Sequence, residues 1–244
     1  MNEAQAKQIA DYVFKDVFGQ PNPFTMQETL DKFAFGLPLP QRTNDDRTPG
    51  GFTWVTSSGA AKTMSQANLL IDSKKNAWIK EKKPIKTMAD ISKYWGEIDY
   101  FTGEKTIDSR EVAESDNIYG STYIFRSAKC FGSEKCVFST NLSACKYTVG
   151  CSYTDDSTAC IRVLESAQVT SSFAIEWSKK VSRCMYLNDC EDMFECMFCS
   201  NMRSQKYCVA NTQLTKDQYL PFKAQVIDWT IKNFGKSNSQ GFEA

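Results

Sequence analysis

Residues 109–160 read SREVAESDNIYGSTYIFRSAKCFGSEKCVFSTNLSACKYTVGCSYTDDSTAC. Every third residue from Ser109 gives Ser109, Val112, Ser115, Ile118, Ser121, Ile124, Ser127, Cys130, Ser133, Cys136, Ser139, Leu142, Cys145, Thr148, Cys151, Thr154, Ser157 and Cys160. The same register continues through Val163, Ser166, Val169, Ser172, Ile175, Ser178, Val181, Cys184, Leu187, Cys190, Met193, Cys196, Cys199, Met202, Gln205, Cys208 and Asn211 to Leu214. All ten cysteines of the chain lie in it, and it holds no charge, aromatic, Gly or Pro, whereas the other two registers carry all 23 charged and 13 aromatic residues of the segment. One side-chain register in three is therefore narrow and buried.

A period of three sustained over this length excludes ordinary elements. An α-helix drifts off it within a few turns, a flat strand repeats every two residues, and long 3₁₀ helices are uncommon. A polyproline helix would want Pro, absent between Lys86 and Leu220. What remains is a slim β-helix whose short strand arcs alternate with corners. The sequence predicts a mainly β fold, a Cys/Ser-lined narrow β-solenoid with an α-rich N-terminal region and a C-terminal capping helix. Cysteine pairs recur four times at a lag of 15 (130/145, 136/151, 145/160, 184/199) and twice at 12. This predicts about seven coils of about fifteen residues, with twelve as the other reading. Gln205 and Asn211 are the only amides of the series and fall near its end, where the register is expected to loosen.

Around the solenoid, residues 1–105 predict an α-rich region with helices at about 2–18, 26–33, 64–80 and 87–94. Thr25 and Thr87 serve as N-caps, and Gly19 with Pro21 as a stop. Leu37-Pro-Leu-Pro40 to Gly51 reads as a loop or docking arm, and Phe52–Val55 as a strand. The solenoid occupies 106–214, a helix opening at Thr215 runs to about 235, and 236–244 is a polar tail. A solenoid's end coils have unpaired edges, and the helices at both chain ends are expected to cap them.

Across 244 residues, 29 Lys+Arg balance 29 Asp+Glu, so no global field favours nucleic acid or an anionic membrane. The absence of His removes the usual general base and the commonest zinc nitrogen ligand. Charges at Glu3, Lys7, Asp11, Lys15 and Asp16 break any signal-peptide apolar core, and no run approaches a bilayer span. The expectation is an intracellular or virion protein with reduced thiols.

The Cys and Ser recurring in an every-third-residue interior resemble the narrow β-helices of insect antifreeze proteins. The likeness concerns architecture only, because the flat Thr-x-Thr array of those proteins has no counterpart here. A second resemblance covers Cys184 to Tyr219, where Cys196-Met-Phe-Cys199, Tyr207-Cys208, Asn211 and Gln213 lead into the terminal helix. It is similar to the cysteine-rich tail of uncharacterised proteins of large phages and poorly studied bacteria, which implies a phage or bacterial origin and a structural role.

Candidate chemistry is sparse. Cys190, Cys196, Cys199 and Cys208 could form a tetrathiolate zinc site, but all four share the buried register, where Cys packs as a small hydrophobe. Core packing is the reading preferred, with a Cys-x-x-Cys redox centre weaker still. Gly59-Ala-Ala-Lys62-Thr63 lacks the glycines of a phosphate loop. Lysines 74, 75, 80, 82, 83 and 86 read as a solvated face, and Asp189, Glu191, Asp192 and Glu195 as an outward acidic strip rather than a calcium or glycan-cleaving site. The outward Tyr119, Tyr123, Phe125, Phe131, Phe138, Tyr147 and Tyr153 are too many for a solvated face and are expected to lie under the N-terminal region or another protein. These features predict a non-enzymatic structural, assembly or interaction protein, plausible as a phage particle component, with no cofactor. Its partners would be other proteins, either copies of itself or a larger assembly, with no nucleic acid and no membrane. The alternative is an intracellular thiolate zinc protein.

Overall fold

The computed structural model describes residues 1–56, 62–75 and 78–235. Its centre is a β-solenoid of about nine turns, built from parallel strands of four residues that recur every six. Thr122–Phe125 pairs with Glu134–Val137, which pairs with Lys146–Val149. The intervening strands, Ala128–Phe131, Thr140–Ser143 and Ser152–Asp155, form the second sheet.

Each residue pairs with the one twelve positions on, as in Glu134↔Lys146 and Phe131↔Ser143. The coil is therefore twelve residues long, and the expectation of seven coils of fifteen is corrected. The reason is geometric: every third residue from Asp108 to Ala210 is left-handed, with φ between +44° and +65°. Each such residue turns the chain, so four triads close one coil and a lag of fifteen links neighbouring inward positions on successive coils. Left-handed non-Gly residues cost of order 1 kcal/mol each or more, and the parallel ladders on both sides hold them in place.

The recurring Ser has a specific duty. Every strand from Asp116–Tyr119 to Met197–Ser200 is immediately preceded by an inward Ser or Cys. At that bend the backbone cannot continue the ladder, and the side chain substitutes for it. Ser127 Oγ donates to the Phe125 carbonyl at 2.8 Å and accepts the Ser139 N–H at 3.0 Å, one coil along. Ser172 Oγ likewise accepts the Cys184 N–H at 3.1 Å, after which Cys184 Sγ accepts that of Cys196 at 3.3 Å.

The interior alternates these small bend residues with strand residues, as in Ser121, Ile124, Ser127 and Cys130. Between Ser157 and Ser166 the spacing of bend residues lengthens from six to nine across the long strand Thr158–Leu164, which is followed by the longer Ala167–Glu176. Small and large columns then exchange. Ser121, Ser133, Cys145 and Ser157 are followed in their column by Val169 and Val181, while Ile124, Cys136, Thr148 and Cys160 are followed by Ser172 and Cys184. Because the swap is complementary, Ser or Cys alternates with a strand residue inside the coils on both sides of it.

One outward column is wholly apolar: Ala113, Phe125, Val137, Val149, Ile161, Phe173, Met185, Met197 and Val209. Helix α1 (Glu3–Phe18) lies along it with Ala6, Ile9, Ala10, Val13, Phe14, Val17 and Phe18 buried. Its 16 residues span about 24 Å, the height of five rungs at about 4.8 Å each. Helix α2 (Met26–Phe33) follows, so close that a Cβ on Gly150 (φ +65°) would lie 2.1 Å from the Phe33 carbonyl oxygen.

Helices α3 (Gln66–Lys74) and α4 (Met88–Ile98) form an arm at the first-coil end, joined to it by Lys62–Ser65 pairing with Tyr100–Gly103. The helix expected at 64–80 is thus a strand followed by a helix ending at Lys74. The stretch 37–51, expected as a loop, contains Gln41–Asn44, which pairs antiparallel with Phe52–Val55. Lys62 and Thr63 of the rejected phosphate loop are in a strand, and Gly59 to Ala61 lie outside the described residues, as does the tail from Lys236.

Helix α5 (Lys216–Asn233) does not cap the last coil as expected. It folds back along the apolar column, with Tyr219 against Tyr207, Tyr186 hydroxyl 2.9 Å from Thr230 Oγ1, and Phe234 on Phe173. At each end one edge residue is bonded by a side-chain amide. Gln66 accepts the Thr106 N–H at 2.6 Å and donates to its carbonyl at 3.0 Å. At the other end Asn211 accepts the Ser200 N–H and donates to its carbonyl, both at 3.0 Å. The register loosens at Gln205 and Asn211, as the sequence indicated: Cys208–Val209 turns back in a hairpin with Thr212–Gln213.

Candidate functional site

The seven outward aromatics divide into two groups. Phe125 and Phe138 are buried in the core beneath α1, and the ring of Tyr147 lies 4.4 Å from that of Tyr12. These three belong to the molecule's own packing, so of the two alternatives the N-terminal region covers them and they are removed from the interaction surface. Tyr119, Tyr123, Phe131 and Tyr153 remain outside that core.

Tyr119 and Phe131 pair in register one rung apart, and their rings stack 5.1 Å apart at an interplanar angle of 4°. Ile107, one rung earlier in the same column, pairs with Tyr119. Ile107 is 54% exposed and Phe131 50%, so the ladder is an ordered apolar strip facing solvent. Tyr153, 61% exposed, stands in a neighbouring column together with Trp177 at 62%. Sequence reasoning missed Ile107 and Trp177; the available signal was their spacing of one coil from Tyr119 and two coils from Tyr153.

The ten cysteines are all buried and all free thiols. Those proposed as zinc ligands point at backbone carbonyls: Cys190 Sγ to Asn188 and Cys199, Cys196 Sγ to Phe194 and Gln205, Cys199 Sγ to Met197, and Cys208 Sγ to Lys206. Cys196 and Cys208 stack one rung apart, with Cys196 Sγ accepting the Cys208 N–H at 3.4 Å. Among the described residues no group of three or more metal-ligating side chains converges. Burial pushes two of these thiols up, Cys151 to about 12 and Cys145 to about 11. The Cys196 thiol is also raised to about 12, first by its hydrogen bond with Cys184 and then by desolvation. A protonated, desolvated thiol is a weak nucleophile.

The acidic strip is internally paired. Asp189 meets Arg203 at 2.9 Å, Glu191 the same guanidinium at 3.9 Å, Asp192 accepts from Ser204 Oγ at 3.1 Å, and Glu195 meets Lys223 at 2.7 Å.

A second titratable group surrounds an open cleft of about 640 Å³ at the first coil, lined by Gln66, Leu70, Glu104, Glu111 and Glu114 among others. Burial raises the pKa of Glu104, reinforced by the like charges of Asp45 and Asp116, and burial also raises that of Glu114. Glu111 is neutralised by the N-terminal amine at 2.9 Å. These carboxylates were not singled out in the sequence because their charges are unremarkable until the first coil brings them to one side.

No family model, curated protein or solved structure matches this chain. No helix among the described residues is long and apolar enough to cross a membrane.

Proposed function

We propose that this protein is a non-enzymatic assembly element, a stiff rod that joins copies of itself or a larger particle through the outer faces of its solenoid. The observation that carries this reading is the ordered strip of Ile107, Tyr119 and Phe131. Each rung of the strip is held by parallel pairing and the two rings are already stacked, so docking a partner would cost little side-chain entropy. A rod of uniform cross-section, in which Gln66 and Asn211 each engage one end-strand residue, suits a spacer whose strand edges are partly blunted against polymerisation. A phage particle is the assembly suggested by the resemblance of the Cys184–Tyr219 segment.

Sedimentation velocity of the intact protein tests this reading, with Phe131→Asp as the perturbing variant. Association that the substitution abolishes, with the far-ultraviolet spectrum unchanged, supports it. A protein that stays monomeric over the accessible concentration range and enters no particle in its native host would contradict it.

A further inference from the structure

We propose that the α3–α4 arm is a docking surface for an anionic lipid interface. This goes beyond the assembly reading and does not depend on it, since it concerns a different part of the molecule; it departs from the expectation of no membrane partner, which rested on the neutral charge of the whole chain.

Helix α4 carries Met88, Ile91, Trp95 and Ile98 at spacings of three, four and three, which places them on one helical stripe. All four are exposed, at 76%, 46%, 59% and 37%. Neither α3 nor α4 buries a single residue, whereas α1 and α5 both set residues into the core. Ile79 and Ile85, 78% and 59% exposed, extend the apolar surface into the segment before α4.

The charge around this stripe specifies what would cover it. From Lys74 to Lys93 there are seven lysines against Glu81 and Asp90, a net five positive in a chain that is neutral overall. Lys74, Lys75, Lys82 and Lys86 are exposed, and none is ion-paired among the described residues. The two acids on α4 are engaged elsewhere: Asp90 accepts from the Thr87 N–H at 2.9 Å in the helix cap, and Glu97 meets Lys83 at 2.7 Å. A convex apolar helix preceded by interleaved Lys and Ile needs a surface that offers diffuse negative charge over an apolar layer. An anionic lipid interface offers both, and Trp95 suits its headgroup boundary.

The arm is anchored at both ends. Gln66 is bonded to Thr106, and Lys62 Nζ donates to the Gly96 carbonyl at 2.7 Å. Binding would therefore hold the first-coil end of the rod at the lipid surface.

Flotation of the full chain tests this, using phosphatidylcholine vesicles with and without about one-third phosphatidylserine. The wild-type protein is expected to float with the anionic vesicles only and to be released by high salt. Because the altered side chains are exposed, the variants Met88→Ser/Ile91→Ser/Trp95→Ser and Lys75→Glu/Lys82→Glu/Lys86→Glu should keep the native circular dichroism spectrum. Each should lower partitioning at least about tenfold. Absence of flotation by the folded wild-type protein would overturn the proposal, as would flotation that neither variant weakens. Self-association abolished by the Met88/Ile91/Trp95 variant without any vesicle binding would also overturn it and assign the face to a second copy.

Discussion

The ring of Phe234 meets that of Phe173 edge-on, with centroids 4.8 Å apart and planes at 78°. This contact joins the chain's C-terminal helix to the middle of the solenoid. Phe18 at 5.2 Å and Phe33 at 6.0 Å reach the same Phe173 ring from α1 and α2. Three helices thus converge on one outward residue of one coil, where α1 ends its run along the apolar column and α5 completes its return.

Phe173→Ala should therefore cost about 3–5 kcal/mol, more than any other single truncation in that column. Urea unfolding followed by circular dichroism measures it. Phe125→Ala, which removes a ring from one end of the column, should cost less, and equal losses at the two sites would show that the helices do not converge as described.

The bend serines act as hydrogen-bond substitutes, which separates two conservative changes. Ser127→Ala leaves the Ser139 N–H without its acceptor and should cost about 1–3 kcal/mol. Ser127→Cys should cost distinctly less, because Cys184 and Cys196 already accept such N–H groups at 3.3 and 3.4 Å. The same unfolding curves decide between the two orders.

Gly150 and Gly132 are both left-handed, but only Gly150 lies against another backbone. Gly150→Ala should add about 1–3 kcal/mol of overpacking to the backbone term and loosen α2, detectable as faster amide exchange over Met26–Phe33. Gly132→Ala, with nothing within 4 Å of the added Cβ, should pay the backbone term alone.

The buried thiols give stability a pH dependence with a defined sign. In the unfolded chain a thiol titrates near 8.5, whereas native Cys145 and Cys151 hold their protons to about 11 and about 12. Below the unfolded value both states are protonated and the contribution is fully present. Above it the unfolded chain releases protons the native state keeps, so stability is lost as pH rises towards the native values. Urea midpoints should fall between about pH 8 and about pH 11. At neutral pH all ten thiols should resist alkylation until unfolding and then react together. Native mass spectrometry showing stoichiometric zinc would instead favour the metal role for Cys190, Cys196, Cys199 and Cys208.

Much of this fold was legible in the sequence because one physical constraint repeats. A narrow interior admits only small or slim side chains, and the left-handed corner every third residue stamps that constraint on the sequence as a period of three. Coil length was misread because the cysteines occupy all four inward columns, so their separations mix whole coils with single corners. The column Phe125, Val137, Val149, Ile161 and Phe173 carries the twelve-residue period directly, and it is outward, where the aromatics stand out and the aliphatic residues between them do not. Covering of Phe125, Phe138 and Tyr147 by α1 was foreseen as one of two possibilities. The amide bonding by Gln66 was invisible, since it joins residues forty positions apart through one side chain, whereas Asn211 stood out as a polar residue in the buried register.

The twelve-residue coil underlies every relationship above, and a single distance tests it. Ser143 and Arg203 occupy one outward column, linked through Asp155, Ala167, Lys179 and Glu191. Spin labels at Ser143→Cys and Arg203→Cys, both exposed positions, should therefore report backbones five rungs apart, about 24 Å. Pulsed electron paramagnetic resonance measures this while the native thiols stay shielded. A separation of about 19 Å, four rungs of fifteen residues, or a broad distribution would contradict the account.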